Sequence, residues 1–343
     1  MRYRKLGRTG VEVSSQCLGA MMFGAMGNTD HAQCEQMIAR ALDAGVNFVD
    51  TADVYSRGES EEIVGRALKG RRDDVVLATK CFNPMGDDPN HRGGSRRWII
   101  RAVEDSLRRL DTDYIDLYQV HRHDPDTDLD ETLGALTDLV RQGKVRYLGS
   151  SSFPAEWIVE AQWVADRRNR ERFVCEQPQY SIFARSAERA VLPTCQLHGM
   201  GVIPWSPLAG GWLTGKYRRG ETAPAGSRLA TRSMPTGRNP LDGPNAGARF
   251  DVVEALDGIA GEAGLSLTQL ALAWVDAHPA ITSTIIGPKT PEQLDQALEA
   301  ADLTLTADVL DAIDKVVRPG TDVPGTSHFV PNPALEAAHR RRA

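Results

Sequence analysis

Four residues near the ends of apolar runs could carry out proton chemistry together. Asp50 closes "NFVD", Tyr55 follows in "DTADVY", Lys80 closes "VVLATK", and His121 closes "YIDLYQVH". Singly, each has an ordinary explanation. An aspartate ending a strand is a turn former. A tyrosine at a rim packs with its hydroxyl in water. A lysine there is a solvated edge charge, and a histidine is hydrogen-bonded structure. Brought together, they make a proton donor. A phenol titrates near pH 10 and is a weak acid at neutrality. A nearby ammonium favours the phenolate and lowers that pKa. Asp50 would hold Lys80 charged and in place, and His121 could hydrogen-bond a substrate oxygen. Such a group suits a carbonyl oxygen as it becomes an alkoxide. The sequence shows no metal-ligand cluster, so the electrons would come from a cofactor.

These residues can meet only if the right elements carry them. The runs "QCLGAM", "NFVD", "VVLATK", "YIDLYQV", "VRYLGS", "FVCEQ", "GVIPW" and "STIIG" read as strands, short and rich in branched or aromatic residues. A hairpin, "RYRKLGRTGVEVS", precedes them, turned by Gly7 to Gly10. Helical spacing falls between them. Asp30 and Gln33 suggest a capping box, and Gly45 a C-terminal stop. Further helices read at about 60–69, 95–110, 130–142, 154–169, 187–199 and 250–278.

Eight strands alternating with helices point to an α/β fold. Because no G-x-G-x-x-G turn follows a strand, a barrel is favoured over an open dinucleotide-binding sheet. We therefore expect an (α/β)8 TIM barrel with an N-terminal β-hairpin and long loops at the C-terminal mouth. It would be a single domain over residues 1–317 with a tail at 318–343. In such barrels the C-terminal strand ends carry the chemistry, and there Asp50, Lys80 and His121 lie on neighbouring strands. The longest irregular segment, 207–247, is rich in Gly, Pro, Arg and Ser and reads as a functional loop.

Composition narrows the classes. The chain has 343 residues, 41% hydrophobic and 25% charged, enough for one large core. A net charge of −6 argues against a nucleic-acid partner. No apolar run reaches 18 residues, which argues against a membrane span, and "MRYRKLGRTG" lacks a signal-peptide core. The five cysteines are scattered and odd in number, which suggests reduced thiols in a cytoplasmic protein.

Several motifs together resemble the aldo-keto reductase superfamily, and within it the bacterial members related to potassium-channel β subunits. They are "FVDTADVY…GESEEIVGRAL", "ATK", "DLYQVHRHDP", "VRYLGSSSF", "EQPQYSIFAR", "PWSPLAGGWLTGKY" and "IIGPKTPEQL", spread over about residues 1–317. The resemblance implies a barrel that binds NADPH (or NADP) and reduces aldehydes or ketones. Tyr55 would be the general acid, Lys80 would lower its pKa, Asp50 would pair with Lys80, and His121 would orient the carbonyl. Ser151, Ser152 and Gln177 would face the nicotinamide carboxamide, and Trp205 would stack on the ring. Ser206, Pro207, Leu208 and Gly210 would line the pyrophosphate, with Lys216 and Arg228 clamping it from the long loop. Gly287, Lys289 and Gln293 would form the 2′-phosphate site.

Four positions depart from the family pattern. Ser152 and Ala297 stand where asparagines are usual, Gln296 where an acid is, and Lys289 where an arginine is. Lysine lacks the bidentate fork, which implies a softer preference for NADP. Met22, Phe23, Val54, Phe82, Trp98 and Arg122 could wall a mostly apolar substrate pocket. Arg122 could bind an acidic substrate group, but pairing with Asp124 is the favoured expectation.

Two other readings compete. "HRH" has the spacing of a metal-binding pair, His121 and His123, but lacks further ligands. A regulatory subunit that binds NADPH with little turnover is the second. The partner expected is a small carbonyl compound, and a homo-oligomer is allowed.

Overall fold

The structure is a computed structural model and describes residues 1–231 and 240–326. It opens with the hairpin. Strands β1 (Tyr3–Lys5) and β2 (Glu12–Ser14) pair antiparallel, with Arg4 opposite Val13. Gly7 takes φ 61 in the turn and lies so close to the barrel that a Cβ would meet Gly199 O at 2.7 Å.

Strand and helix then alternate. The first half contains β3 (Gln16–Gly19), α1 (His31–Asp43), β4 (Phe48–Asp50), α2 (Glu59–Ala67), β5 (Val76–Cys81), α3 (Arg96–Leu110) and β6 (Ile115–Val120). Next come α4 (Leu129–Arg141), β7 (Val145–Ser151), α5 (Ala155–Arg168), β8 (Phe173–Gln177), α6 (Val191–His198) and β9 (Gly201–Val202). The last elements are α7 (Arg228–Thr231), α8 (Ala246–Glu262), α9 (Leu267–Ala277), β10 (Thr284–Ile286), α10 (Pro291–Leu298) and α11 (Ala307–Val316).

The eight strands β3 to β10 form one parallel sheet in the order β10-β3-β4-β5-β6-β7-β8-β9. Its two ends meet. The Thr282 N–H donates to Val202 O at 2.8 Å, and the Ile285 N–H to Pro204 O at 3.1 Å. The result is an (α/β)8 barrel, with the hairpin at its N-terminal end. Pro204 has no N–H to give, which explains why "GVIPW" keeps only two ladder residues.

Period-two alternation sorts the strand residues. Cys17, Phe48, Ala78, Leu117, Cys175, Ile203 and Ile285 pack inside the barrel with Leu6 and Val13 of the hairpin. Their neighbours Leu18, Val49, Leu77, Tyr118 and Leu148 pack outward in the helix layer. Two residues further along each strand, the inward face changes character. It carries Asp50, Lys80, Gln119, Gln177 and Trp205, with bare backbone at Gly19 and Gly287. This polar layer is the floor of the C-terminal mouth.

Two expectations change in detail. The run read as one helix over 250–278 is two, α8 and α9. Gly264 turns at φ 69, and Ser266 starts α9 with a full capping box to Gln269. At α1, Asp30 accepts from the Gln33 N–H, but the Gln33 side chain accepts from Asn28 and does not return to Asp30. Part of the long loop (232–239) and the final "HRRRA" lie outside the described residues. Up to residue 326 the chain remains packed, with the Val323 N–H bonded to Phe183 O.

Candidate active site

At the mouth, β4 and β5 bring Asp50 and Lys80 together. The Lys80 ammonium donates to Asp50 Oδ2 at 2.6 Å, to Thr51 O at 2.7 Å and to the Tyr55 hydroxyl at 3.4 Å. Asp50 Oδ1 accepts from Gln119 at 3.1 Å and from Gln177 at 3.0 Å. Both oxygens of the buried carboxylate thus accept from donors, three in all. Burial alone would push the Lys80 amine down, but Asp50 and Tyr55 outweigh it and hold its pKa above the ordinary value. Lys80 is therefore an ammonium. For Tyr55 the balance runs the other way. Burial raises its pKa, and Lys80 opposes that rise without cancelling it. The resting group is a neutral phenol that accepts from an ammonium and keeps its own proton to give.

The Tyr55 turn is unusual backbone. Ser56, Arg57 and Gly58 follow at φ 49, 56 and 98, all left-handed. Ser56 Oγ accepts from the Met26 N–H and donates to Phe23 O, and Glu59 accepts from the Ala25 N–H. The loop after β3 is thereby tied to the tyrosine.

His121 continues β6, its N–H bonded to Cys81 O at 2.9 Å. Its ring stands edge-on to Tyr55 with centroids 5.8 Å apart. Burial, with Lys80 and Arg122 nearby, drives its pKa well below the ordinary histidine value, so the imidazole is neutral. Asn83 Nδ2 lies 2.9 Å from His121 Nδ1. With an amide donor facing Nδ1, the ring proton belongs on Nε2. His123, the other half of "HRH", stacks on Trp157 at 3.7 Å. The two imidazoles are engaged separately.

Arg122 corrects an expectation. It does not pair with Asp124, which accepts from the Gly94 N–H and the Thr127 hydroxyl. Arg122 Nη1 instead donates to His121 O at 2.7 Å and Ser152 Oγ at 3.1 Å. Ser152, at φ 56, also accepts from Trp205 Nε1 at 3.2 Å.

The residues expected at a cofactor lie at the ends of β7 and β8 and in the segments after β9 and β10. The Ser151 hydroxyl donates to Gln177 O, and Gln177 spends its amide N–H groups on Asp50 and Gln119, leaving Oε1 for a ligand. Beyond Trp205 the chain winds through Ser206, Pro207 and Leu208 into a left-handed turn. Ser206, Ala209, Gly210 and Gly211 have φ of 58, 49, 68 and 98. A Cβ at Gly210 or Gly287 would meet nothing within 4 Å, so both expose bare backbone to open space. Lys216 folds over Gly211, where a Cβ would meet its Nζ at 2.9 Å. Burial and the nearby Lys289 push the Lys216 amine down. Lys289 donates to Gly226 O of the long loop at 3.3 Å, its N–H is held by Gln293 Oε1, and Arg228 begins α7 two residues beyond Gly226. Two ammonium groups that repel each other beside bare glycine backbone fit a polyanionic ligand such as a dinucleotide phosphate. Ala297, where an adenine contact was expected, is buried in the core.

The residues expected to wall a substrate pocket differ in burial. Met22, Val54 and Phe82 are half-buried. Phe23 and Trp98 are not wall residues. They are 0% and 2% exposed and pack in the outer core, with Trp98 against His91. Gln119 and Asn83 join the site without having been expected there.

Residues 16–318 match the family model described as the Aldo/keto reductase family. An oxidoreductase of Bacillus subtilis, described as uncharacterized, is 40% identical over 336 residues, covering 94% of this chain and 98% of that protein. A probable voltage-gated potassium channel subunit beta of Oryza sativa is 39% identical over 325 residues, covering 93% and 97%. The versiconal hemiacetal acetate reductase of Aspergillus parasiticus is 33% identical over 354 residues, covering 95% and 99%.

Proposed function

The chain belongs to the aldo/keto reductase family, and from that premise we propose that it reduces aldehydes or ketones to alcohols with NADPH, using Tyr55 as proton donor. The observation that carries this reading is the Lys80 ammonium, 2.6 Å from Asp50 and 3.4 Å from the Tyr55 hydroxyl, on the floor of the barrel mouth. NADPH, when bound, supplies the hydride.

The chain's own residues do the rest. His121 Nε2–H and the Tyr55 O–H would both donate to the carbonyl oxygen and polarise it. As negative charge grows there, Tyr55 gives up its proton. The phenolate left behind is stabilised by the Lys80 ammonium, whose charge Asp50 keeps in place. Lys80 is thus worth more in the transition state than in the resting site, which is the condition for raising a rate. Ser151, Ser152, Gln177 and Trp205 would hold the nicotinamide. The Ser206–Gly211 turn with Lys216 would hold the pyrophosphate, and Lys289 with Gln293 the 2′-phosphate.

A second reading is favoured by the rice relative, described as a probable channel β subunit. On that reading the same cleft binds NADPH and reports its redox state with little turnover. One experiment separates the two: NADPH oxidation by a panel of aldehydes, diketones and sugars, with wild type and Tyr55→Phe. Many turnovers per chain that collapse in the variant support the reductase. Tight NADPH binding without turnover supports the regulatory subunit.

A further inference from the structure

We propose that Arg122 selects carbonyl substrates that carry an anionic group, a carboxylate foremost, close to the carbonyl. This rests on the reductase reading and adds the substrate class. Arg122 Nη1 is spent on two neutral acceptors, His121 O and Ser152 Oγ. Its Nε and Nη2 have no acceptor among the described residues. Neither is among the polar atoms sealed from solvent without a partner, so both reach solvent.

Among the described residues no carboxylate makes a salt bridge with Arg122. Lys80 and Asp50 cancel each other in a closed pair. Asp124, two residues on, is bonded to Gly94 and Thr127. Glu176 lies within electrostatic reach but is fixed on the Ser150 hydroxyl and the Phe153 N–H. A half-buried guanidinium without an anion is costly, and a planar fork with free N–H groups matches a carboxylate. The cofactor's phosphates belong, on the reading above, to Lys216 and Lys289 on another part of the rim.

Arg122 also stands where a substrate would react. It follows His121 in the chain, it feels the Tyr55 hydroxyl, and its guanidinium carbon lies 5.9 Å from the centre of the Trp205 ring. An oxygen held by Tyr55 and His121 and an anion held by Arg122 therefore belong to one small molecule. 2-Oxo acids and other short oxo acids fit that description.

The test compares phenylglyoxylate with its methyl ester, in which a methyl group removes the negative charge, in NADPH-linked turnover. In Arg122→Gln, kcat/KM for the acid relative to the ester should fall about 10- to 100-fold, the range for hydrogen bonds to charged groups. Arg122→Lys should fall between, because it keeps the charge without the fork. An acid-to-ester ratio unchanged in Arg122→Gln overturns the proposal. A readout without turnover is calorimetric binding of oxamate to the NADPH-loaded protein. Binding lost in Arg122→Gln supports the anion site even if no carbonyl is reduced. Equal binding, or none in wild type, overturns it.

Discussion

The Lys80 ammonium lies 2.6 Å from Asp50 Oδ2, and their side chains are 0% and 3% exposed. Gln119 and Gln177 occupy the other carboxylate oxygen. A buried pair this complete couples its members' contributions to stability. Lys80→Met strands a carboxylate, and Asp50→Asn strands an ammonium. Each should cost about 3–5 kcal/mol, because an uncompensated charge remains buried. The double variant removes both charges and should lose far less than the sum of the two. Urea unfolding of the four proteins measures the coupling. Additive losses would mean that the pair does not behave as a unit.

His121 and Asn83 make a prediction about a single proton. Phe82, just before Asn83, adopts φ 142, which few non-glycine residues adopt, and its carbonyl is held by the Gly93 N–H at 2.7 Å. That backbone aims the Asn83 amide at His121 Nδ1. Long-range 15N NMR of the imidazole should find the proton on Nε2 at pH 7. In Asn83→Ala the two tautomers should mix, and kcat should fall more than KM changes, since only the donor to the developing oxyanion is lost. Asn83→Asp should move the proton to Nδ1, since a carboxylate can only accept there. A wild-type ring protonated on Nδ1 would reverse the assignment.

How far the sequence reached can be traced residue by residue. Asp50, Lys80 and His121 were legible because each ends an apolar run, and in a barrel those ends share one mouth. Gln119 had the same signal, since it lies between Leu117 and His121 on the inward face of β6, but an interior glutamine carries no motif. Asn83 had none. It lies in a loop, and only the left-handed backbone before it turns its amide inward. Arg122 was misread toward Asp124 because the two are near in sequence. The competing acceptors, His121 O and Ser152 Oγ, come from its own backbone neighbour and from the bend after β7. Phe23 and Trp98 looked like pocket walls by position, but both fill space between sheet and helices. The break between α8 and α9 was written in Gly264 and Ser266 and was overridden by a long apolar period.

Lys289 and Lys216 test the cofactor reading. They repel each other across the rim and have no carboxylate partner among the described residues. A dinucleotide carrying an additional phosphate relieves that repulsion. Lys289→Glu should weaken NADPH binding about 10- to 100-fold, as expected for charge-assisted contacts. NADH binding should change far less, because it lacks the 2′-phosphate. Fluorescence titration with both cofactors checks this. Equal losses for the two would place Lys289 on a shared part of the dinucleotide.

Glu176 links the site to pH. Burial pushes its carboxyl up to about 7, against the lowering effect of the Ser150 hydroxyl, the Phe153 and Ser152 N–H groups and Arg122. An unfolded glutamate titrates near 4.3. The folded protein therefore binds this proton more tightly than the unfolded chain does. The resulting stability is fully present below about pH 4 and is lost as pH rises through about 7. Its size is about 4 kcal/mol at most. Glu176→Gln keeps one acceptor for the Phe153 N–H and cannot ionise. Between pH 5 and 8, wild type should lose about 2–3 kcal/mol relative to this variant, read from urea midpoints at both pH values. Parallel pH profiles would show that Glu176 is already ionised in the fold, with the Ser150 hydroxyl and the backbone donors sufficient to hold its charge.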